Sequence, residues 1–184
     1  MTAIASKSQL RMSFLRYALF TVPAILLLGT VSGRIAGAGY GNVWFDALQK
    51  PALMPPGWVF GVVWSFLYIL LGLALALVLH ARRARGRGLA IALFVLQLLV
   101  NFAWSPIFFA YHEVGAAFWI IVAMILLSVA VAMLFWRIRR AAALLMLPYL
   151  AWLCFAALLT WQIGALNPEA AQLAPEGSTT DIAL

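Results

Sequence analysis

The chain has 184 residues, 66% hydrophobic and 9% charged, with a mean hydropathy of +1.04. Soluble domains carry about 25% charged residues, so a water-soluble globular fold is excluded and a polytopic membrane protein is implied. Twelve Lys and Arg against five Asp and Glu give a net charge of +7. In this setting the excess reads as the loop bias of a membrane protein, and no nucleic-acid partner is expected. The lone cysteine, Cys154, lies in an apolar run and forms no disulfide within the chain.

Five apolar segments follow in chain order, each near the roughly 20 residues that cross about 30 Å of hydrocarbon. The first spans about residues 14–31, with Arg16 near its start and Pro23 inside it. Lys7, Arg11 and Arg16 ahead of it also fit a cleaved signal peptide. No convincing A-x-A-like site follows beyond the small run Ala36–Gly37–Ala38, so retention as a membrane helix is the expectation. A long connection over residues 32–57 leads into the second segment, about 58–79. The third covers about 89–110, the fourth about 116–136 and the fifth about 141–163. Residues 1–13 and 168–184 read as flexible extensions around a membrane domain over 14–167.

Five spans put Lys7, Arg11, Arg16, Arg82, Arg83, Arg85, Arg87, Arg137, Arg139 and Arg140 on one side, ten of the twelve cations. Arg34, Lys50 and all five acids fall on the other. The asymmetry predicts an all-α five-helix bundle with its N-terminus inside. The 32–57 connection and the C-terminus then lie outside, on the periplasmic side of a bacterial membrane.

Helical periodicity assigns the faces. On the second segment Gly61, Trp64, Ser65, Tyr68 and Gly72 share one arc, opposite the lipid-tolerant Val62, Phe66, Ile69, Leu70 and Leu73. On the third, Gln97, Asn101, Trp104, Ser105 and Phe108 share an arc. An unpaired amide at this depth is costly, so Gln97 and Asn101 are expected to face the bundle. Interhelical hydrogen bonding accounts for Gln97. For Asn101 a ligand-lining role is preferred, with packing as the alternative. Pro106 is expected to kink or break the helix just beyond. On the fifth segment Pro148, Trp152, Phe155, Ala156 and Leu159 share an arc. Trp58, Trp119, Trp136 and Trp161 suit interface anchoring. Trp64, Trp104 and Trp152 instead converge on the outer half of one bundle interior. That describes an apolar pocket for a large, flat, apolar ligand. No ionisable residue lies deep in a span, no metal-ligand spacing appears and no nucleophile–base pair is present. Gly29, Gly33 and Gly37, and separately Gly88 and Ala92, recur at four-residue spacing. Such stripes suit a homodimer, or equally packing within one subunit.

These residues resemble the TspO/MBR translocator protein family, the tryptophan-rich sensory proteins and peripheral-type benzodiazepine receptors. The matching runs are Trp44-Phe45-Asp46-Ala47-Leu48-Gln49-Lys50-Pro51, Pro55-Pro56-Gly57-Trp58-Val59-Phe60-Gly61, Asn101-Phe102-Ala103-Trp104-Ser105-Pro106 and Leu147-Pro148-Tyr149-Leu150 with Trp152. The resemblance implies a five-helix membrane bundle, often dimeric, that binds tetrapyrroles such as protoporphyrin or haem, and in some members sterols. It implies ligand walls at Trp44, Phe45, Trp64, Asn101, Trp104, Pro148, Trp152, Ala156 and Leu159. A lid of Lys50, Pro51, Leu53, Pro55 and Pro56 would cover them. No obligatory cofactor and no catalytic residue are implied. Leu53 stands where many members have an aromatic, and Thr160 where many have asparagine. No Lys or Arg follows Tyr149, so the mammalian cholesterol motif is absent. The expected role is transport or sensing of tetrapyrroles. The alternatives are light- or oxygen-dependent porphyrin breakdown and a scaffold with a degenerate site.

Overall fold

The structure is a computed structural model and describes residues 7–173, with side chains from Met12 onward. Six helices form in chain order: α1 (Lys7–Ile35), the short α2 (Val43–Ala47), α3 (Gly57–His80), α4 (Arg87–Phe109), α5 (Val114–Ile138) and α6 (Arg140–Leu166). A 3-10 turn, Ala170–Leu173, follows. The five long helices are each long and apolar enough to cross a membrane. α1 begins at Lys7, within the expected N-terminal extension, and Ala170, within the expected C-terminal one, is buried. The expectations for residues 1–6 and 174–184 lie outside the described residues.

The five long helices pack in the ring order α1, α3, α6, α5, α4 and back to α1, with a smaller contact between α3 and α4 across it. Lipid-compatible side chains such as Leu19, Phe20, Val62, Phe66, Leu99 and Leu126 are exposed on the outside of this ring. Tight approach of α1 and α3 is made possible by Gly72, where an added Cβ would lie 2.6 Å from Val22 Cα. Thr21 Oγ1 reaches across to the Gly72 carbonyl at 2.8 Å. Gly29 plays the same role for Tyr68, whose ring a Cβ there would meet at 2.2 Å. The first member of the small-residue stripe on α1 therefore serves packing inside the subunit.

Pro106 does not end α4, which continues to Phe109. Proline supplies no N–H, which leaves the carbonyl four residues earlier without its helical donor. Ser32 Oγ donates to that carbonyl, of Phe102, at 2.6 Å. A hydroxyl from α1 thus replaces the missing bond and ties the two helices together.

One end of the bundle is filled and the other is hollow. Toward the arginine-rich end, Leu71, Ala74, Val78, Phe94, Val131, Phe135 and Met146 are fully buried, with the Phe94 and Phe135 rings stacked at 5.5 Å. The other end is covered by residues 36–56, part of the connection expected from the resemblance to carry the lid. Within it, α2 is capped by Asn42, whose side chain accepts from the Phe45 amide, as an N-cap should. Lys50 Nζ closes the opposite end, donating to the carbonyls of Phe45, Asp46 and Leu48 at 2.9, 3.1 and 3.3 Å. Asn167 joins this roof to α6. Its Oδ1 accepts from Gln49 N at 2.8 Å, and its Nδ2 donates to Gln49 O at 2.9 Å. Asn167→Ala is expected to loosen the roof by about 2 kcal/mol, since two bonds are lost and net values run near 1 each. Hydrogen exchange of residues 43–50 should accelerate while the amides of α5 stay protected.

Candidate functional site

Beneath the roof lies a cavity of about 660 Å³, within the range typical of small-molecule sites. Phe60, Trp64 and Tyr68 of α3, Trp104 and Phe108 of α4, and Trp152, Ala156 and Leu159 of α6 are among the residues that line it. The aromatic rings brace one another. Trp104 stacks on Phe108 at 5.1 Å, Trp64 leans on Tyr68 at 5.4 Å, and Phe60 meets Trp152 edge-on at 5.8 Å. Trp104 is fixed further by its indole N–H, which donates to the Ala117 carbonyl at 3.2 Å. Flat walls held this way need little reordering when a flat molecule enters.

Asn101, 4% exposed, joins the cavity to the packed core through a directional chain of hydrogen bonds. Tyr68 Oη donates to Asn101 Oδ1 at 3.1 Å, and Asn101 Nδ2 donates to Tyr149 Oη at 3.1 Å. Tyr149 then donates to Gln97 Oε1 at 2.9 Å, where Ser128 Oγ also donates at 3.4 Å. The chain links α3, α4, α5 and α6 at one level. Gln97 Nε2 ends it without an acceptor among the described residues. The third segment's two amides therefore face the bundle as their arc required, with Gln97 in packing and Asn101 both bonded and in the cavity wall.

Of the residues expected to form the ligand walls, Phe45, Trp64, Asn101, Trp104, Trp152, Ala156 and Leu159 line this one cavity. Trp44 and Pro148 do not. Neighbours in α2 diverge by about 100°, so Phe45 turns down into the cavity while Trp44 turns away. Trp44 is 1% exposed, packs on Phe108 and His112, and donates its N–H to the Ala170 carbonyl at 2.7 Å. It fastens the roof to the chain after α6. Pro148 is exposed on the outside of α6, while Tyr149 beside it is fully buried. It lies one turn further from the roof than Trp152. Among the lid residues, Lys50, Pro51, Leu53, Pro55 and Pro56 stay off the cavity surface, and Met54 takes the place expected of them. Leu53 is 57% exposed. Lys50 acts instead as the clamp on α2, and Pro56 as the N-cap position of α3.

Several lining residues were not expected in the cavity. Gly29, Thr30, Gly33 and Arg34 of α1 form one side, and Ile121 and Met124 of α5 another. The regular arcs of the aromatic helices drew attention to α3, α4 and α6, whereas α1 contributes by what it lacks: its glycines leave room. No histidine or cysteine lines the cavity, and among the described residues no group of three His, Cys, Asp or Glu is placed to hold a metal.

Five spans, a clamped roof and an aromatic cavity at one end define the class: a multi-pass α-helical membrane protein with a roofed interior chamber. Over residues 21–166 the chain matches the TspO/MBR family, and it belongs to that family. It is 34% identical over 150 residues to Protein CrtK of Rhodobacter capsulatus, covering 80% of this chain and 94% of that one. It is 36% identical over 139 residues to the Translocator protein of Homo sapiens, covering 73% and 80%. To the Tryptophan-rich sensory protein of Cereibacter sphaeroides it is 35% identical over 130 residues, covering 69% and 80%.

Proposed function

We propose that this protein binds tetrapyrroles, protoporphyrin or haem, in the roofed cavity, and acts in their transport or in sensing their level without covalent chemistry. The observation that carries this reading is the cavity itself. It brings Trp64, Trp104 and Trp152 from three different helices around one volume of about 660 Å³. A planar macrocycle presents large apolar faces, and stacking on indole rings is the favourable way to bury them. Sterols and other flat apolar molecules meet the same walls. In this reading the roof faces the periplasmic side of a bacterial membrane, because ten of twelve cations lie at the opposite end or beyond it. A homodimer is part of it too. Gly88 and Ala92 are exposed on α4, whereas Gly29 and Gly33 serve the cavity. Crosslinking in native membranes tests the dimer, and trapping of monomer alone argues against it.

The binding test is titration of protoporphyrin against the purified protein, followed by tryptophan fluorescence. A Trp64→Ala, Trp152→Ala variant that keeps its thermal transition in detergent should bind at least about tenfold more weakly, since two stacking walls worth about 1 kcal/mol each are gone. Undiminished binding by that folded variant sinks the assignment.

A further inference from the structure

Among the described residues one charged side chain lines the cavity, and it is Arg34. The sequence groups this residue with the roof connection. The structure instead places it in the last turn of α1, one turn beyond Thr30, which lines the cavity with it. The surrounding backbone leaves it space. At Gly39 and at Gly61, both also in the lining, an added Cβ would meet nothing within 4 Å.

Most of the other polar groups of the wall are already engaged. Tyr68 and Asn101 bond one another, Ser65 Oγ donates to the Gly61 carbonyl at 2.7 Å, and the Trp104 N–H is given to Ala117. The roof's own cation, Lys50, is held by three carbonyls, and Asp46 accepts from the Gly41 amide at 2.9 Å. Among the described residues no carboxylate lines the cavity. An apolar chamber with a single cation in the last turn of one helix matches a ligand with the reverse pattern, an apolar plate with acid at one edge. A carboxylate accepts two parallel bonds from a guanidinium. Arg34 is exposed at the edge of the cavity, and its planar fork suits a carboxylate better than the point charge of a lysine would. The charged edge then stays near the roof, and the apolar edge descends toward Tyr68 and Met124. The reverse pose would bury a carboxylate among tyrosines and methionine at high cost.

We infer that Arg34 is the acid-recognising residue of this cavity, so that the site prefers carboxylate-bearing flat ligands over neutral ones of the same shape. The inference rests on the tetrapyrrole reading above. A lipid phosphate offers the same bidentate anion chemistry, and the test separates the two.

Protoporphyrin and its dimethyl ester are titrated in phospholipid-free detergent against the full chain, the Arg34→Gln variant and the Arg34→Lys variant. The unmodified protein should bind the diacid about tenfold more tightly than the diester, the size of one charge-assisted bond. Arg34→Gln should weaken the diacid to the level of the diester and leave the diester unchanged, which excludes a general loss of fold. Arg34→Lys should keep part of the preference. Equal binding of acid and ester by the unmodified protein, or a Gln variant that weakens both alike, overturns the role of Arg34 while leaving the cavity reading standing. Failure of both porphyrins to bind overturns the two together. Loss of the acid preference when anionic phospholipid is added would assign Arg34 to lipid phosphate and overturn the proposal.

Discussion

Gly72→Ala is expected to destabilise the bundle by about 2 kcal/mol, although alanine is the better helix former. The new Cβ would sit 2.6 Å from Val22 Cα, 2.8 Å from its Cγ2 and 3.0 Å from its N. Two of these three atoms are backbone and cannot rotate aside, so α1 must back away from α3 as a unit. That separation also breaks the 2.8 Å bond from Thr21 Oγ1 to the Gly72 carbonyl. Overpacking of this kind costs about 1–3 kcal/mol, and the lost hydroxyl bond about 1 more. Against this stands a gain of about 0.8–1 kcal/mol in helix propensity. Steric conflict wins. Gly115→Ala on α5 is the control, because a Cβ there meets nothing within 4 Å, and only the propensity gain remains. Unfolding in SDS or by heat in detergent should rank Gly115→Ala at or above the unmodified protein and Gly72→Ala well below. A Gly72→Ala variant as stable as its parent would contradict the close α1–α3 crossing.

Asn101→Leu is expected to damage stability and ligand binding together. Leucine fills a similar volume but removes the acceptor of Tyr68 Oη and the donor to Tyr149 Oη. Tyr149 keeps its own bond to Gln97, so the main orphan is the Tyr68 hydroxyl, in a cavity wall that holds few other acceptors. Stranding it costs about 1–3 kcal/mol by the measure of soluble cores. Membrane bundles give smaller values, typically about 0.6 and up to about 1.7 kcal/mol per interhelical bond. A loss of about 1–2 kcal/mol is the expected result. Tyr68→Phe in the same chain removes the orphan, so the double variant should recover part of that loss, and a double-mutant cycle reads the coupling directly. Additive single effects would show that the Tyr68–Asn101 bond contributes nothing.

The five spans were legible because hydrocarbon thickness sets their length, and each expected segment lies within a few residues of its helix except at the start of α1, which begins at Lys7 rather than near residue 14. The inward faces of α3, α4 and α6 were legible because large aromatics and amides recur at helical spacing. Trp64, Trp104 and Asn101 could be placed without knowing any neighbour. Periodicity gives direction around an axis but not what fills the space opposite. Pro148 shared an arc with Trp152 and Leu159 and still falls outside the bundle. Connections have no period at all, so Trp44 and Phe45 looked equivalent until α2 turned them apart. Arg34 was read as a loop charge because α1 runs on to Ile35, one turn beyond its apolar stretch. Gly29 and Gly72 were visible as small residues, but the partner each admits, Tyr68 or Val22, is a fact of packing alone. The clamps made by Lys50 and Asn167 follow the same rule, since each depends on carbonyls and amides brought together from separate segments.

Binding of a tetrapyrrole in the chamber under the roof is open to a crystallographic check. In crystals grown with zinc protoporphyrin, an anomalous difference map at the zinc absorption edge should show a single zinc peak inside the cavity, between Trp64, Trp104 and Trp152 and below Phe45. A zinc peak on the lipid-facing outside of the helices, with that cavity unfilled, would contradict it.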